Sequence, residues 1–147
     1  KNQNIFQTIV YCADNNPKVS QAHQRFIEKY LKPDPIKISI LGGPFFLGVC
    51  INASPYFVSL QKNVLLQNME IAYEKGCREF YLITHKKCWV YTKSFPNETP
   101  ENLIKDQEED LRFAKTMLLQ KFNDIIVKCY YADIDEETGE STFISVI

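Results

Sequence analysis

Histidine is scarce in this chain of 147 residues, with two copies, and tryptophan occurs once. Any imidazole chemistry is therefore confined to His23 and His85. No apolar run approaches the roughly 20 residues that a membrane-spanning helix needs. Neither sign of charge is in excess: 17 Lys and Arg stand against 18 Asp and Glu, a formal net charge of -1. A broad basic field of the kind that attracts nucleic acid or anionic lipid is thus missing, so neither is expected as a partner. The opening residues lack the basic start, apolar stretch and small-residue cleavage site of a signal peptide, so a cytoplasmic location is expected. The first residue is Lys1 rather than Met, which leaves an upstream segment open. Without a secretory signal, Asn52-Ala53-Ser54 and Asn97-Glu98-Thr99 read as chance matches to the glycosylation pattern. The five cysteines are an odd number, better suited to free thiols or metal ligands than to a disulfide framework.

What is present is globular in composition, with 45% hydrophobic and 24% charged residues. The length fits a single domain over residues 1–147, large enough for an ordinary core. Ile5 to Tyr11 is a β-branched and aromatic run, ended by the turn formers Cys12-Ala13-Asp14-Asn15-Asn16-Pro17. Val19, Ala22, Phe26 and Tyr30 then recur at helical spacing, until Lys32-Pro33-Asp34-Pro35 breaks the pattern. Ile36 to Leu41 reads as a second strand closed by Gly42-Gly43-Pro44, while Phe45 to Ser54 is apolar and of either strand or loop character. Phe57 to Lys75 is helical, with Val58, Leu65, Met69 and Ala72 on one face and Gly76 as its cap. Arg78 to Thr84 is a third strand, followed by His85-Lys86-Lys87-Cys88. Thr99-Pro100 opens a helix to about Phe122, with Leu103, Leu111, Ala114 and Leu118 inward. Ile125 to Ala132 is a fourth strand, Asp135 to Gly139 a turn, and Ser141 to Val146 a returning edge strand. The alternation predicts an α/β fold: a mostly parallel central sheet covered by helices on both faces, with a C-terminal antiparallel hairpin.

In open parallel sheets, ligands bind beyond the carboxyl ends of the strands. The segments just past the first and third strands carry Cys12 with Asp14, and His85 with Cys88. Thiolate plus imidazole suits zinc, which takes four tetrahedral ligands at about 2.0–2.3 Å. A His-x-x-Cys turn can bring both of its side chains to one ion, and a neighbouring parallel strand can supply the cysteine. The residues equally allow a second reading, in which Cys12 and Cys88 are small buried apolar groups and His85 a loop histidine.

The order of these motifs resembles the β-class carbonic anhydrases. That family carries Cys-x-Asp-Ser-Arg after its first strand and Gly-His-x-x-Cys-Gly after its third, similar to Cys12-Ala13-Asp14 and Thr84-His85-Lys86-Lys87-Cys88. The helical stretch Leu65 to Gly76, and the turn from Tyr131 through Asp133 to Thr138-Gly139, also resemble the family. The resemblance implies zinc held by Cys12, His85 and Cys88, Asp14 beside it as the catalytic group that helps to orient the attacking hydroxide, and carbon dioxide or bicarbonate as substrate. In the family the Asp is held off the metal by the Arg two residues later; here that position is Asn16, too short and neutral for a bidentate clamp. Asn15, Thr84 and Trp89 replace the family's Ser and two glycines, and Gly42-Gly43-Pro44-Phe45 replaces its Arg-Asn-Ala-Gly. Asp14 is accordingly expected to swing onto zinc as a fourth ligand, leaving carbon dioxide hydration weak or absent at neutral pH. Lys18, Arg25 or Asn16 are the groups that could restrain it instead. The family's helical arm before the first strand, which helps to seal its dimer, is missing here; a homodimer stays an expectation. Two other functions fit the same residues: a zinc-binding, non-catalytic domain, or a metal-free thiol enzyme using Cys88 or Cys12 beside His85.

Of the remaining candidates, His23 reads as a surface residue of the first helix with a lesser role in proton transfer. Cys50, Cys77 and Cys129 read as ordinary thiols, and Gly42-Gly43 as a turn or an anion cradle. Lys86 and Lys87 could draw an anion or simply be solvated, and Glu108, Glu109 and Asp110 read as a solvated helix face. Phe45, Phe46, Tyr56 and Phe57 would either line a dry pocket or pack in the core.

Overall fold

The computed structural model describes residues 6–48 and, from 55 onward, the rest of the chain, with backbone alone at 55–59. Ile5, Cys50, Asn52-Ala53-Ser54 and the side chains of Tyr56, Phe57 and Val58 lie outside the described part. The chain runs β1 (Gln7–Cys12), α1 (Pro17–Tyr30), β2 (Ile36–Ile40), a 3-10 turn (Gly43–Leu47), α2 (Pro55–Glu74), β3 (Glu79–His85), α3 (Trp89–Ser94), α4 (Pro100–Lys121), β4 (Ile126–Ile134) and β5 (Ser141–Val146). The five strands form one sheet in the order β2-β1-β3-β4-β5. Pairing is parallel up to β4, and β5 returns antiparallel beside it. This is the α/β architecture anticipated from the alternation, with β1 and β3 adjacent so that their carboxyl ends meet.

Side-chain alternation along the strands makes two cores. On one face Ile9, Tyr81, Ile83, Ala132 and Ile134 pack under α1 through Val19, Ala22, Phe26 and Ile27. Phe26 is fully buried among Tyr30, Tyr81, Tyr130 and Phe143, a burial that contributes about 2–3 kcal/mol. On the other face Val10, Phe80, Leu82 and Cys129 meet Leu65 and Met69 of α2 and Leu111, Ala114 and Leu118 of α4. Phe45 and Phe46 belong to this second core, at right angles to each other with ring centroids 5.1 Å apart.

Local chemistry sets the helix starts. Asn16 caps α1 by accepting the Lys18 N–H on its side chain at 3.0 Å, with Pro17 in the first turn. Thr99 caps α4 in the same way, accepting the Asn102 N–H at 3.2 Å. Two placements correct the sequence reading. Asp110, three residues after Gln107 on the inward side of α4, is buried and accepts the Tyr91 hydroxyl at 2.7 Å instead of facing solvent. His23 is buried, not on the surface. It falls four residues after Val19 and three before Phe26, inside the apolar stripe of α1, so helical period outweighed its polarity. The short helix α3 has no counterpart in the sequence reading, because six residues are too few to display a period.

Candidate metal centre

The centre lies where β1 and β3 end. Cys12 is the last residue of β1 and His85 the last of β3. The turn Lys86-Lys87 then carries the chain to Cys88, which caps α3. Lys87 adopts a left-handed backbone, φ 57°, and the Lys86 N–H donates to the Ala132 carbonyl at 2.9 Å. From these two strand ends one ligand atom each of Cys12, His85 and Cys88 converges, all within 4.8 Å of one another. All three residues are buried.

Hydrogen bonds settle which atoms face inward. His85 Nδ1 lies 2.9 Å from the Lys86 carbonyl, which can only accept, so Nδ1 carries the proton and Nε2 the lone pair. Nε2 is buried and has no hydrogen-bond partner among the described residues. It faces Oδ2 of Asp14 at 3.8 Å and the two sulfur atoms. Two sulfur atoms and an imidazole nitrogen gathered in one buried place are groups that could hold a metal ion. The sulfurs of Cys12 and Cys88 lie 3.9 Å apart, far beyond a disulfide bond. Two thiolates on tetrahedral zinc at about 2.3 Å would be roughly 3.8 Å apart, so the spacing suits that ion.

The two thiols are unlike. Contact with the Cys88 sulfur, reinforced by burial, pushes the Cys12 thiol up. Cys88 is lowered, first by the hydrogen bond with Cys12 and further by the Tyr91 and Val90 N–H groups at the start of α3, against the effect of burial. Cys88 thus ionises first, as expected of a thiol at a helix N-terminus. Cys12 Sγ also accepts the Gly42 N–H at 3.1 Å. The Gly42-Gly43 loop therefore serves the cysteine rather than an outside anion. Gly43 makes that approach feasible: at φ 49° a Cβ there would stand 2.6 Å from the Tyr11 carbonyl carbon. Nothing in the sequence paired position 42 with position 12; the Gly-Gly dipeptide after a strand was the available signal.

Asp14 sits at the entrance. Its Oδ1 accepts the Asn16 backbone N–H at 2.8 Å. Neither cation considered from sequence reaches it. Lys18 Nζ donates to the Glu136 carbonyl, and Arg25 donates to the Gly139 carbonyl at 2.6 Å and to Ser141 Oγ at 3.2 Å. Lys86 and Lys87 pair with Asp133 at 3.7 Å and Glu136 at 2.5 Å. Outside Asp14 opens a cleft of about 960 Å³, walled by Leu41, Trp89, Ile104, Gln107 and Tyr131. His23 packs behind the centre, its ring edge-on to His85 with centroids 5.8 Å apart. Burial, and then His85, lower its pKa to about 3, which keeps it neutral. Cys77 and Cys129 are buried in the same core but are not part of the cluster; Cys77 bonds with Thr8 Oγ1 at 3.0 Å and Cys129 donates to the Leu111 carbonyl at 3.6 Å.

No family model matches the chain, and no curated protein matches it. Among solved structures it is similar to the beta-carbonic anhydrase isoform I from the protozoan Trichomonas vaginalis, at 17% sequence identity and a TM-score of 0.46, over 100% of this chain and 88% of that one. Among the described residues, no helix is long and apolar enough to cross a membrane.

Proposed function

We propose that the chain is a zinc-binding protein of β-carbonic anhydrase-like character, holding the ion through Cys12, His85 and Cys88 with Asp14 as its fourth ligand. The observation that carries this reading is the convergence of the three ligand atoms within 4.8 Å, with a buried lone pair on His85 Nε2 that no described donor meets. Two thiolates balance a dication, so zinc with Cys12, Cys88 and a neutral His85 is uncharged, and Asp14, at the partly exposed entrance, adds the one negative charge. When bound with an open position, zinc supplies a Lewis acid that lowers the pKa of a coordinated water toward about 7.

What the chain's own residues do around that position decides activity. Asn16 N–H holds one oxygen of Asp14 and leaves the other directed toward His85. A single neutral N–H restrains a carboxylate less than a bidentate guanidinium does. Lys18 and Arg25 are engaged at the β4–β5 turn, so they do not add a second restraint. Asp14 is therefore free to close the fourth position, which makes the centre structural or latent and hydration of carbon dioxide weak at neutral pH. Where Asp14 stays off the metal, it is the group beside the reacting atoms that accepts or donates a proton. The burial of Cys88, 3% exposed, argues against a metal-free thiol enzyme, since a nucleophile must meet its substrate. Elemental analysis of protein purified without chelator tests the reading: about one zinc per chain is expected, and a preparation free of transition metal overturns it.

A further inference from the structure

Gln107 occupies a place in α4 where an apolar residue would be expected. The inward stripe of that helix continues through Leu111, Ala114 and Leu118, and Gln107 is itself only 2% exposed. Burying an amide costs free energy unless it is hydrogen-bonded. Here Nε2 of Gln107 donates to the backbone carbonyl of His85 at 2.9 Å.

That carbonyl is at the root of the turn joining the two ligands that β3 and α3 contribute. From the sheet, the turn is held by the Lys86 N–H on Ala132, and internally by His85 Nδ1–H on the Lys86 carbonyl. Both bonds lie on the β4 side or within the turn. Gln107 reaches it from α4, on one face of the sheet, and so adds a restraint from a third element to the one sheet bond and the one internal bond. The turn also contains Lys87 in a left-handed conformation, which a non-glycine residue keeps only where its surroundings hold it.

We infer that Gln107 is a positioning residue for the metal centre: its amide clamps the His85 carbonyl so that His85 and Cys88 point at one ion. The inference rests on the zinc reading and goes beyond it, since Gln107 itself touches no ligand atom. Removing a hydrogen bond behind a metal ligand weakens metal binding by about 10–100-fold.

The test compares wild type with Gln107→Met, which keeps length and volume but has no donor, and Gln107→Asn, which keeps the amide but falls short. Zinc affinity is measured by competition with a chelator, cobalt(II) uptake by its thiolate absorption bands, and amide hydrogen exchange on metal-free protein. Both variants should bind zinc about 10–100-fold more weakly, show altered cobalt bands, and exchange faster at residues 86–89 than elsewhere. Leu111→Ala serves as the control for a merely structural role: it should destabilise the whole fold and leave the affinity of folded protein unchanged. If Gln107→Met does not fold, Gln107→Asn carries the comparison. Wild-type affinity and wild-type local exchange in the folded variants overturn the inference while leaving the zinc reading standing. A wild-type protein that takes up neither zinc nor cobalt overturns both.

Discussion

The backbone N–H of Asn16 donates to Oδ1 of Asp14 at 2.8 Å, and Oδ2 of the same carboxylate stands 3.8 Å from His85 Nε2. A side chain accepting the N–H two residues ahead is a local turn of the kind Asp readily forms. Here that turn aims a carboxylate at a cluster of thiols and an imidazole through backbone geometry rather than through a charged partner. The Asn16 side chain is meanwhile occupied with capping α1. One short segment thus starts a helix and directs a carboxylate toward the Cys12, His85 and Cys88 cluster.

Replacing Cys88 by Ser should abolish tight zinc binding, because a hard hydroxyl is a poor substitute for a thiolate. Metal bound to the native state alone stabilises it, so the wild-type melting temperature should rise on zinc addition and that of Cys88→Ser should not. Thermal melts with and without zinc, alongside metal analysis, provide the check. An equal zinc response in both proteins would remove Cys88 from the ligand set.

Asn16→Arg should raise carbon dioxide hydration if a missing clamp on Asp14 is what closes the site. The substitution also removes the α1 cap, at about 1 kcal/mol of stability. Stopped-flow hydration assays and urea unfolding on both proteins separate the two effects. Robust turnover by the wild type at neutral pH would show that Asp14 needs no arginine to stay off the metal.

Gly43→Ala should destabilise the protein by roughly 2 kcal/mol or more, since it combines a left-handed backbone with a Cβ inside the β1 backbone. The clash falls at Tyr11 and the Cys12 N–H, so the strand end carrying Cys12 must move. Urea denaturation should record the loss, and zinc affinity should drop with it. Gly76→Ala offers the contrast: φ there is also positive, but the nearest atoms, on Phe6, are 3.6 Å away.

Asp135 gives a prediction in pH. Its carboxylate accepts the Glu137 and Thr138 N–H groups, each at 2.9 Å, in the turn before β5. Chiefly the Thr138 bond, and then that to Glu137, hold its pKa below the ordinary 3.8. A folded-state pKa below the unfolded one means that the unfolded chain takes up the proton more readily. The stabilisation is therefore fully present above pH 3.8 and disappears as pH falls through the lower, folded value. Asp135→Ala should be less stable than wild type at pH 6, with the gap narrowing in acid. Denaturation curves at both ends of that range decide it, and a gap independent of pH would contradict the assignment.

The amino-acid order determined by itself whatever is encoded over a few residues. Strand runs, helical stripes and the caps at Asn16-Pro17 and Thr99-Pro100 depend on neighbours within one turn, so the α/β alternation was legible. So were Cys12 with Asp14 and His85 with Cys88, because each pair belongs to one strand-end turn. His23 is buried despite its polarity, because its place between Val19 and Phe26 puts it in the apolar stripe of α1. What only the tertiary structure decided are partnerships between distant positions. The Gly42 N–H meets Cys12 from 30 residues away, Gln107 meets His85 across 22, and Lys18 meets the Glu136 carbonyl across 118. Such pairings follow from which strands lie side by side and how far apart the layers pack, and no local pattern carries that distance. Whether Asp14 would find a cation was a question of this kind. Packing sent Lys18 and Arg25 to the β4–β5 turn and left Asp14 with a backbone N–H.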